Sequence, residues 1–365
     1  MLCALVGASC QPASPTASEA AVAPSAGSVV GATVEPTAGS SRSLEPSSLP
    51  LPTAAPVRLL VDTDGAPDDL VAISFLVASP NVEIAAITIA GTGEVHCPRG
   101  VDVVLSLLER LDAPPIPVAC GSERPTALDH AFPDLFRSNA DAAAGLDLPP
   151  TDRTPSGTDA VDLITSTALA RDGDLRIVTL GPLTNLAQAL AGTDLSERIE
   201  AVYSMGGAVD VPGNIAGSPG GPQDNTTAEW NVYVDPAALA SVLDADLDVR
   251  LVSLDGTDNV PLTTAFADHV LDVATAPPLE VLAELLRKND YMRSGSYYLW
   301  DAIAAVAAAG FPVGEFTDGN LIVDVSEGVT SGATRRQDGQ ANAAHMTRAD
   351  AAAIERLLIS VMNAT

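Results

Sequence analysis

The chain has little positive charge. Its 365 residues include 18 Lys and Arg against 47 Asp and Glu, a formal net charge of −29 at pH 7. Such a surface repels nucleic-acid phosphates, so we expect no nucleic acid among its partners. Docking on anionic lipid through a basic patch is equally disfavoured. Lys288 is the only lysine, so a reaction that needs a Schiff base or a phosphate-binding lysine has one candidate.

Aromatic residues are also scarce, at 4%, although 47% of the residues are hydrophobic. The core is therefore expected to consist of Ala, Val and Leu, and the apolar content is ample for folding. No run of 18 apolar residues occurs, so no transmembrane helix is predicted. The spacing of Cys97 and Cys120 is no metal motif, and the two residues could be bridged or buried thiols.

The first 56 residues differ from the rest of the chain. Residues 1–10, MLCALVGASC, are apolar and small and end at Cys10, and the Ala/Ser/Pro-rich residues 11–56 read as a disordered tether. This arrangement resembles a bacterial lipoprotein signal, in which small residues precede a cysteine that becomes acylated. The resemblance implies export and a lipid anchor at Cys10 on a bacterial cell envelope. The alternative is a disordered tail on a cytoplasmic protein.

From residue 57 onward, short apolar runs alternate with amphipathic segments. Alternation of this kind predicts an α/β fold with one doubly wound, mostly parallel sheet flanked by helices over residues 57–365. Residues 121–157 are polar and irregular, an insertion of the kind that carries function. The predicted strands are 57–64, 82–90, 116–120, 175–180, 199–206, 248–256 and a short strand region at 320–336. The predicted helices are 67–80, 98–112, 159–173, 183–192, 235–245, 264–275, 278–290, 300–309 and 349–362.

Ligands of such sheets bind beyond the carboxyl ends of the strands. There the segment VDTDGAPDD places Asp62, Asp64, Asp68 and Asp69 within eight residues, on a strand end, a turn and a helix start. These carboxylates would repel one another unless a cation neutralises them, and oxygen ligands suit Ca²⁺ or Mg²⁺. The simplest alternative is a helix-capping turn with surplus acid.

A strand followed by D-x-D-G also begins the first motif of haloacid dehalogenase phosphatases. That chemistry needs a downstream Lys and a GDxxxD motif. Gly173 and Asp174 are followed by Leu-Arg-Ile-Val, so the second motif is absent and this interpretation is disfavoured.

Four blocks occur in the order and rough spacing of the inosine–uridine-type nucleoside hydrolases: VDTDGAPDDLVAI, VTLGPLTNLAQAL, SMGGAV…GN…AEWNVYVDP and WDAIAAVAA. The chain resembles this family from about residue 57 to its end. The resemblance implies the nucleoside hydrolase fold and a small-molecule nucleoside substrate. It also implies Ca²⁺-dependent hydrolysis of the N-glycosidic bond, giving ribose and free base for salvage, and a homo-oligomer.

The resemblance also assigns roles to residues. Asp64 is the general base, and the metal ligands are Asp64, Asp69, the Leu180 carbonyl and Asp301, with Asp62 in support. The substrate-binding residues are Asp68, Thr92, Asn214, Glu229 and Asn231, with Asn225 as the alternative to Asn214. A dense set of oxygen groups suits the chemistry, because cleavage passes through an oxocarbenium-like ribosyl cation.

Trp300 stands where many relatives carry the His that is the presumed acid for the departing base. Trp cannot donate a proton at neutral pH, but it could stack on a purine; its alternative role is packing at a helix start. Tyr297, Tyr298, Glu94 and His96 are further candidates near the base or the ribose. A non-catalytic nucleoside- or sugar-binding lipoprotein on the same scaffold is the alternative function.

Overall fold

The computed structural model describes residues 56–364. The lipoprotein-type signal at 1–10, with Cys10, and nearly all of the tether at 11–56 lie outside the described residues. Among the described residues, no helix combines the length and the apolar composition that crossing a membrane would require.

A single sheet of nine strands runs through the described part of the chain. Its order is β3-β2-β1-β4-β5-β6-β9-β7-β8. Every neighbouring pair from β3 to β9 is parallel, whereas β7 is antiparallel to both β9 and β8. The predicted mostly parallel sheet is thus confirmed. The strands are β1 (Val57–Thr63), β2 (Val82–Ile89), β3 (Val118–Cys120), β4 (Leu175–Thr179), β5 (Ile199–Met205), β6 (Val249–Val252), β7 (Gly314–Val323), β8 (Thr334–Gln337) and β9 (Ala343–Ala349).

Helices cover both faces of the sheet, so the architecture has three layers. One buried cluster joins the sheet to α1, α2 and α9–α12, and a second joins it to α4, α5 and α7. The helices are α1 (Pro67–Ala78), α2 (Cys97–Arg110), α3 (Asp134–Asp141), α4 (Ala160–Leu169), α5 (Thr184–Gly192), α6 (Trp230–Val234), α7 (Pro236–Leu243), α8 (Leu254–Thr257), α9 (Thr264–Val273), α10 (Pro277–Lys288), α11 (Trp300–Ala308) and α12 (Ala351–Met362).

The local sequence explains where β1 ends and α1 begins. Leu59, Leu60 and Val61 are fully buried, as expected for a central strand covered on both faces. Pro67 occupies the first turn of α1 and is followed by Asp68 and Asp69, where proline fits and acidic side chains favour the positive end of the helix. The four acidic residues of VDTDGAPDD therefore lie at the carboxyl edge of the sheet.

Two regions differ from the sequence-based prediction. The insertion at 121–157 contains α3 and a 3₁₀ turn at Ala143–Gly145, in which Ala143 and Ala144 have positive φ angles of 52° and 49°. The C-terminal strand region is larger than 320–336, because β7 starts at Gly314 and β9 is an additional strand. The short α6 was also not predicted, and the strand predicted at 248–256 is wrong at its end, because β6 ends at Val252 and α8 begins at Leu254. α3 and α6 are short and lack a long apolar stripe, and such helices depend on caps and tertiary contacts.

Cys97 and Cys120 form a disulfide. The bond joins the first residue of α2 to the last residue of β3. It therefore links the segments that follow β2 and β3 at the carboxyl edge of the sheet.

We expect reduction of this disulfide to destabilise the domain. The cysteines are 23 residues apart, and closing a loop of that length is worth about 3 kcal/mol through the unfolded chain. Urea unfolding with and without dithiothreitol, alongside Cys97→Ala/Cys120→Ala, measures the difference. An unchanged unfolding midpoint on reduction would contradict the prediction, and dithiothreitol should have no effect on the double variant.

Candidate active site

The acidic residues of the first block are buried. Asp62 and Asp69 are fully buried, and Asp64 and Asp68 are 2% and 3% exposed. An ionised carboxylate in such surroundings needs hydrogen bonds or positive charge to compensate for lost hydration. The partners of each carboxylate therefore indicate what it can do.

Asp62 is hydrogen-bonded to two neighbouring elements, β2 and α5. Its Oδ1 accepts hydrogen bonds from Thr88 Oγ1 at 2.6 Å and from Asn185 Nδ2 at 2.8 Å. The Asn185 amide also donates to the Ile89 carbonyl at 3.0 Å. Burial raises the pKa of Asp62 to about 7. Asp62 thus joins β1, β2 and α5, which fits the supporting role given to it.

Asp64 and Asp69 face one another across the turn between β1 and α1. The Asp64 backbone N–H donates to Asp69 Oδ1 at 3.1 Å, and the Thr63 hydroxyl donates to the same oxygen. The Asp64 carboxylate accepts a hydrogen bond from the Glu94 backbone N–H at 3.1 Å. Burial, then the charges of Asp69 and Glu94, raise the pKa of Asp64 well above its ordinary value.

Asp301 enters the site from α11 and meets Asp68. The Asp301 backbone N–H donates to Asp68 Oδ2 at 3.2 Å, and the Tyr297 hydroxyl donates to Asp68 Oδ1 at 2.9 Å. Burial and the charge of Asp69 raise the pKa of Asp68 to about 6. For Asp301, burial and the charges of Asp68 and Asp69 raise the pKa well above its ordinary value.

Three of these carboxylates form a tight group, which we call the carboxylate cluster: Asp68, Asp69 and Asp301. One oxygen of each lies within 4.8 Å of the others. Asp69 Oδ2 and Asp301 Oδ1 are buried with no hydrogen-bond partner among the described residues. Three buried carboxylates, two of them with an unpartnered oxygen, fit a hard divalent cation, for which carboxylate oxygens are the preferred ligands. The structure thus adds Asp68 to the group of candidate ligands, beside Asp64.

Leu180 follows β4, and its side chain is buried in the hydrophobic core. Its carbonyl, the predicted metal ligand, accepts a hydrogen bond from Asn231 Nδ2 at 2.8 Å. A carbonyl oxygen has a second lone pair, so this bond leaves room for another contact. Asn231 therefore connects the predicted carbonyl ligand to the predicted ribose-binding segment.

Glu229 caps the amino end of α6. Its carboxylate accepts backbone N–H bonds from Asn231 at 2.9 Å, Gly207 at 3.1 Å and Val232 at 3.2 Å. Burial nevertheless raises the pKa of Glu229 to about 7, although these N–H donors by themselves would lower it. The cap explains why a five-residue helix forms here.

The two asparagines of the β5–α6 loop have different surroundings. Asn214 Oδ1 accepts a single bond from the Trp230 backbone N–H, at 3.2 Å. Asn225 is 1% exposed, and its amide is engaged at both ends, with the Ser331 carbonyl and with the backbone N–H groups of Thr227 and Ala228. Asn225 therefore holds the loop, whereas Asn214 has spare bonding capacity. Thr92 is buried against the hydroxyl of Thr184, at 3.0 Å.

Four aromatic residues, here called the aromatic group, border the carboxylate cluster: Tyr291, Tyr297, Tyr298 and Trp300. The Trp300 ring centroid lies 5.2 Å from those of both Tyr297 and Tyr298, and Tyr291 meets Tyr297 edge to face at 5.6 Å. The Trp300 indole N–H is buried without an acceptor among residues 56–364. Tyr297 bonds directly to Asp68, so these rings reach the cluster itself.

His96 is engaged away from the carboxylate cluster. Its Nδ1 lies 2.7 Å from Asp141 Oδ2, its Nε2 accepts a bond from Arg137 Nε at 3.3 Å, and its side chain is half exposed. The sequence-based reasoning did not identify Thr88, Asn185 or Arg137 as parts of the site. For Arg137 no local signal exists, because its partners lie more than 40 residues earlier in the chain.

Comparison with known proteins identifies the family and the fold. Residues 59–356 match the family profile of the inosine-uridine preferring nucleoside hydrolases. The chain is 32% identical over 203 residues to an uncharacterized protein of Schizosaccharomyces pombe, spanning 62% of that protein and 55% of this chain. It is 31% identical over 232 residues to the pyrimidine-specific ribonucleoside hydrolase RihA of Klebsiella pneumoniae, spanning 70% of that protein and 62% of this chain.

A solved structure extends the likeness to the fold. The plant nucleoside hydrolase PpNRh1 superposes with a TM-score of 0.75 at 26% identity, covering 85% of this chain and all of that one. The fold, the carboxylate cluster and these matches define an enzyme of the nucleoside hydrolase class. The chain belongs to the inosine-uridine preferring nucleoside hydrolase family.

The raised pKa values predict that the metal-free protein loses stability as the pH rises. Burial favours the protonated form of these carboxyls in the folded state. Their contribution to the free energy of unfolding is therefore complete below about pH 4, and it is lost as the pH rises through the folded-state pKa values. Those pKa values are about 6 for Asp68, about 7 for Asp62 and about 8 for Glu94. The melting temperature in chelator should fall by several degrees between pH 5 and pH 9.

Added Ca²⁺ should reduce this fall, because a bound cation stabilises the ionised carboxylates. The matched variant is Asp69→Asn, which removes one charge from the cluster and should flatten the profile in chelator. A melting temperature in chelator that stays constant or rises over this range would contradict the prediction.

Proposed function

We propose that the protein is a Ca²⁺-dependent ribonucleoside hydrolase that cleaves the N-glycosidic bond of its substrate, giving ribose and free base. The observation that carries the proposal is the carboxylate cluster, whose Asp69 Oδ2 and Asp301 Oδ1 are buried without a partner among the described residues. A bound cation would supply the missing positive charge. The family membership adds the nucleoside as the class of substrate.

Asp64, Asp69, Asp301 and the Leu180 carbonyl would hold the cation, with Asp68 as a further candidate ligand from the carboxylate cluster. When bound, Ca²⁺ would supply Lewis acidity and the positive charge that offsets the buried carboxylates. That charge would favour the ionised form of Asp64. An ionised Asp64 is a proton acceptor.

Asp64 acts as the general base. It removes a proton from the attacking water as the water oxygen bonds to the anomeric carbon of the ribose. The bond from that carbon to the base nitrogen breaks, and the base leaves with the electron pair and takes up a proton from solvent. General-base assistance of this kind contributes about 10²- to 10⁴-fold to the rate.

Asp68, Asn214, Glu229 and Asn231 bind the ribose hydroxyls. Asp68 accepts two bonds from the protein, and a carboxylate offers about four acceptor positions, so it can accept hydroxyl donors as well. Glu229 accepts three bonds from backbone N–H groups, so it has fewer acceptor positions free for the ribose hydroxyls than Asp68. Asp68 is therefore the stronger of the two carboxylate contacts to the sugar.

The departing base lies against the aromatic group. Trp300 and its two tyrosine neighbours offer ring surface, and the free indole N–H of Trp300 is a donor. Stacking favours a larger ring, so we propose that purine nucleosides are preferred, although the relative RihA is named pyrimidine-specific. The non-catalytic alternative is not favoured, because the chain retains Asp64, Asp69 and Asp301.

Export and a lipid anchor at Cys10 stay proposals. They are supported by the Cys97–Cys120 disulfide, because disulfides form and persist in oxidising compartments such as the bacterial periplasm. The homo-oligomer stays a prediction from the family resemblance.

Asp64→Asn should lower kcat by at least about 10²-fold, because the amide cannot accept the proton. Residues 57–365 are incubated with inosine, adenosine, guanosine, uridine or cytidine, with Ca²⁺ or with chelator, and released ribose is assayed. We expect release from at least one nucleoside, lost in chelator. The matched control is Asp102→Asn, at an exposed carboxylate on α2, with activity within twofold of wild type. Release that persists in chelator or in Asp64→Asn would refute the mechanism.

Trp300→Ala should reduce kcat/KM for purine nucleosides about 5- to 100-fold more than for pyrimidine nucleosides, since base–aromatic stacking is worth about 1–3 kcal/mol. The ratio of inosine to uridine turnover is the measured quantity, because it cancels losses common to both substrates. Trp300→Phe keeps a stacking ring and should retain most of the ratio. A ratio that does not change in Trp300→Ala would exclude stacking on Trp300 as the source of base preference.

A further inference from the structure

Arg137 is a buried arginine in α3, within the insertion at 121–157. It is 9% exposed. Its Nη1 donates to the Gly93 carbonyl at 2.5 Å, and its Nη2 donates to the Gly91 carbonyl at 3.1 Å. A planar guanidinium can satisfy two carbonyls two residues apart, whereas the single ammonium of lysine lacks this fixed fork.

Gly91 and Gly93 belong to the β2–α2 loop, residues 90–96, which lies directly against Asp64. Glu94 N–H donates to Asp64 Oδ2 at 3.1 Å, and Val95 N–H donates to the Asp64 carbonyl at 2.8 Å. A Cβ atom placed on Gly93 would come within 2.1 Å of Asp64 Oδ2. The backbone of this loop therefore limits where the Asp64 carboxylate can point.

The same helix holds the loop at a second place. Asp141, at the end of α3, accepts a bond from the His96 backbone N–H at 2.9 Å and contacts the His96 ring. The loop is therefore held by α3 at residues 91, 93 and 96. Removing Arg137 would leave two buried carbonyls without their donors, and the loop would have to move to satisfy them.

We propose that Arg137 is a positioning residue that orients Asp64 by holding the β2–α2 loop. This inference rests on the proposed function of Asp64 as the general base. Arg137 touches neither the attacking water nor the substrate in this scheme. It acts through the backbone of Gly93 and Glu94, and its loss should affect turnover rather than substrate binding.

The test compares Arg137→Ala with Arg99→Ala in the full-length protein under saturating Ca²⁺. Arg99 is a matched control, because it also contacts α3, through the Asp141 carbonyl at 2.7 Å, but does not bind the loop carbonyls. We expect Arg137→Ala to lower kcat about 10- to 100-fold with KM within threefold, since a displacement near 1 Å can cost about 10²-fold. Arg99→Ala should stay within twofold of wild type.

Amide hydrogen exchange supplies a readout that does not depend on activity. The peptide covering 91–96 should exchange at least tenfold faster in Arg137→Ala than in wild type or Arg99→Ala. Exchange in α12 should not change, which excludes global unfolding as the cause. If Arg137→Ala does not fold, Arg137→Lys replaces it, with a smaller fall in kcat and a smaller rise in exchange.

Different results would overturn the proposed function and the proposed role of Arg137. If the wild type releases no ribose from any nucleoside, the proposed function fails, and exchange at 91–96 still decides whether Arg137 holds the loop. If the wild type is active and Asp64→Asn is not, but Arg137→Ala matches Arg99→Ala in kcat and in exchange at 91–96, the role of Arg137 is overturned and the proposed function stands.

Discussion

The burial of several carboxylates at one edge of the sheet is the constraint on which the site depends. Asp68, Asp69 and Asp301 have oxygens within 4.8 Å of one another, and Asp64 adjoins them. Neutral donors offset part of this charge: the Thr63 hydroxyl, the Tyr297 hydroxyl and backbone N–H groups. These bonds leave the pKa values raised, so ionising these carboxyls in the metal-free protein carries an electrostatic cost that protonation or a bound cation would remove. Binding of a cation by the folded protein alone would therefore stabilise the fold.

The scaffold next to the cluster consists of a buried strand and hydrogen bonds from neutral side chains. β1 is fully buried in its centre, and Asp62 ties it to β2 and α5 through Thr88 and Asn185. These bonds join three elements directly beneath the cluster. These bonds therefore fix the elements that carry the acidic residues, which holds mutually repelling groups together.

Much of the fold follows from local sequence, because buried strands, the Pro67 helix start and the apolar helix faces are all local patterns. The four acidic residues of VDTDGAPDD also stand out locally, whereas Asp301 and Glu229 were assigned from the family resemblance. The contacts of Asn185 and Arg137 were not predicted, since Asn185 meets Asp62 across 123 positions and Arg137 meets Gly93 across 44. Strand β9 was not predicted because its sequence, AAHMTRA, contains three alanines and a single β-branched residue, so its strand signal is weak. Its place between β6 and β7 has no local signal either.

The insertion at 121–157 contacts two parts of the candidate site. Through Arg137 it contacts the loop against Asp64, and through Asn139 it contacts the hydroxyl of Tyr291 in the aromatic group, at 3.2 Å. One short helix therefore meets both the segment that places the proposed base and the rings proposed to face the departing nucleobase. Exchanging this insertion to change the substrate preference would also change the contacts that hold the loop against Asp64. If the proposed roles of Asp64 and the aromatic group hold, α3 would link turnover to base preference in this chain.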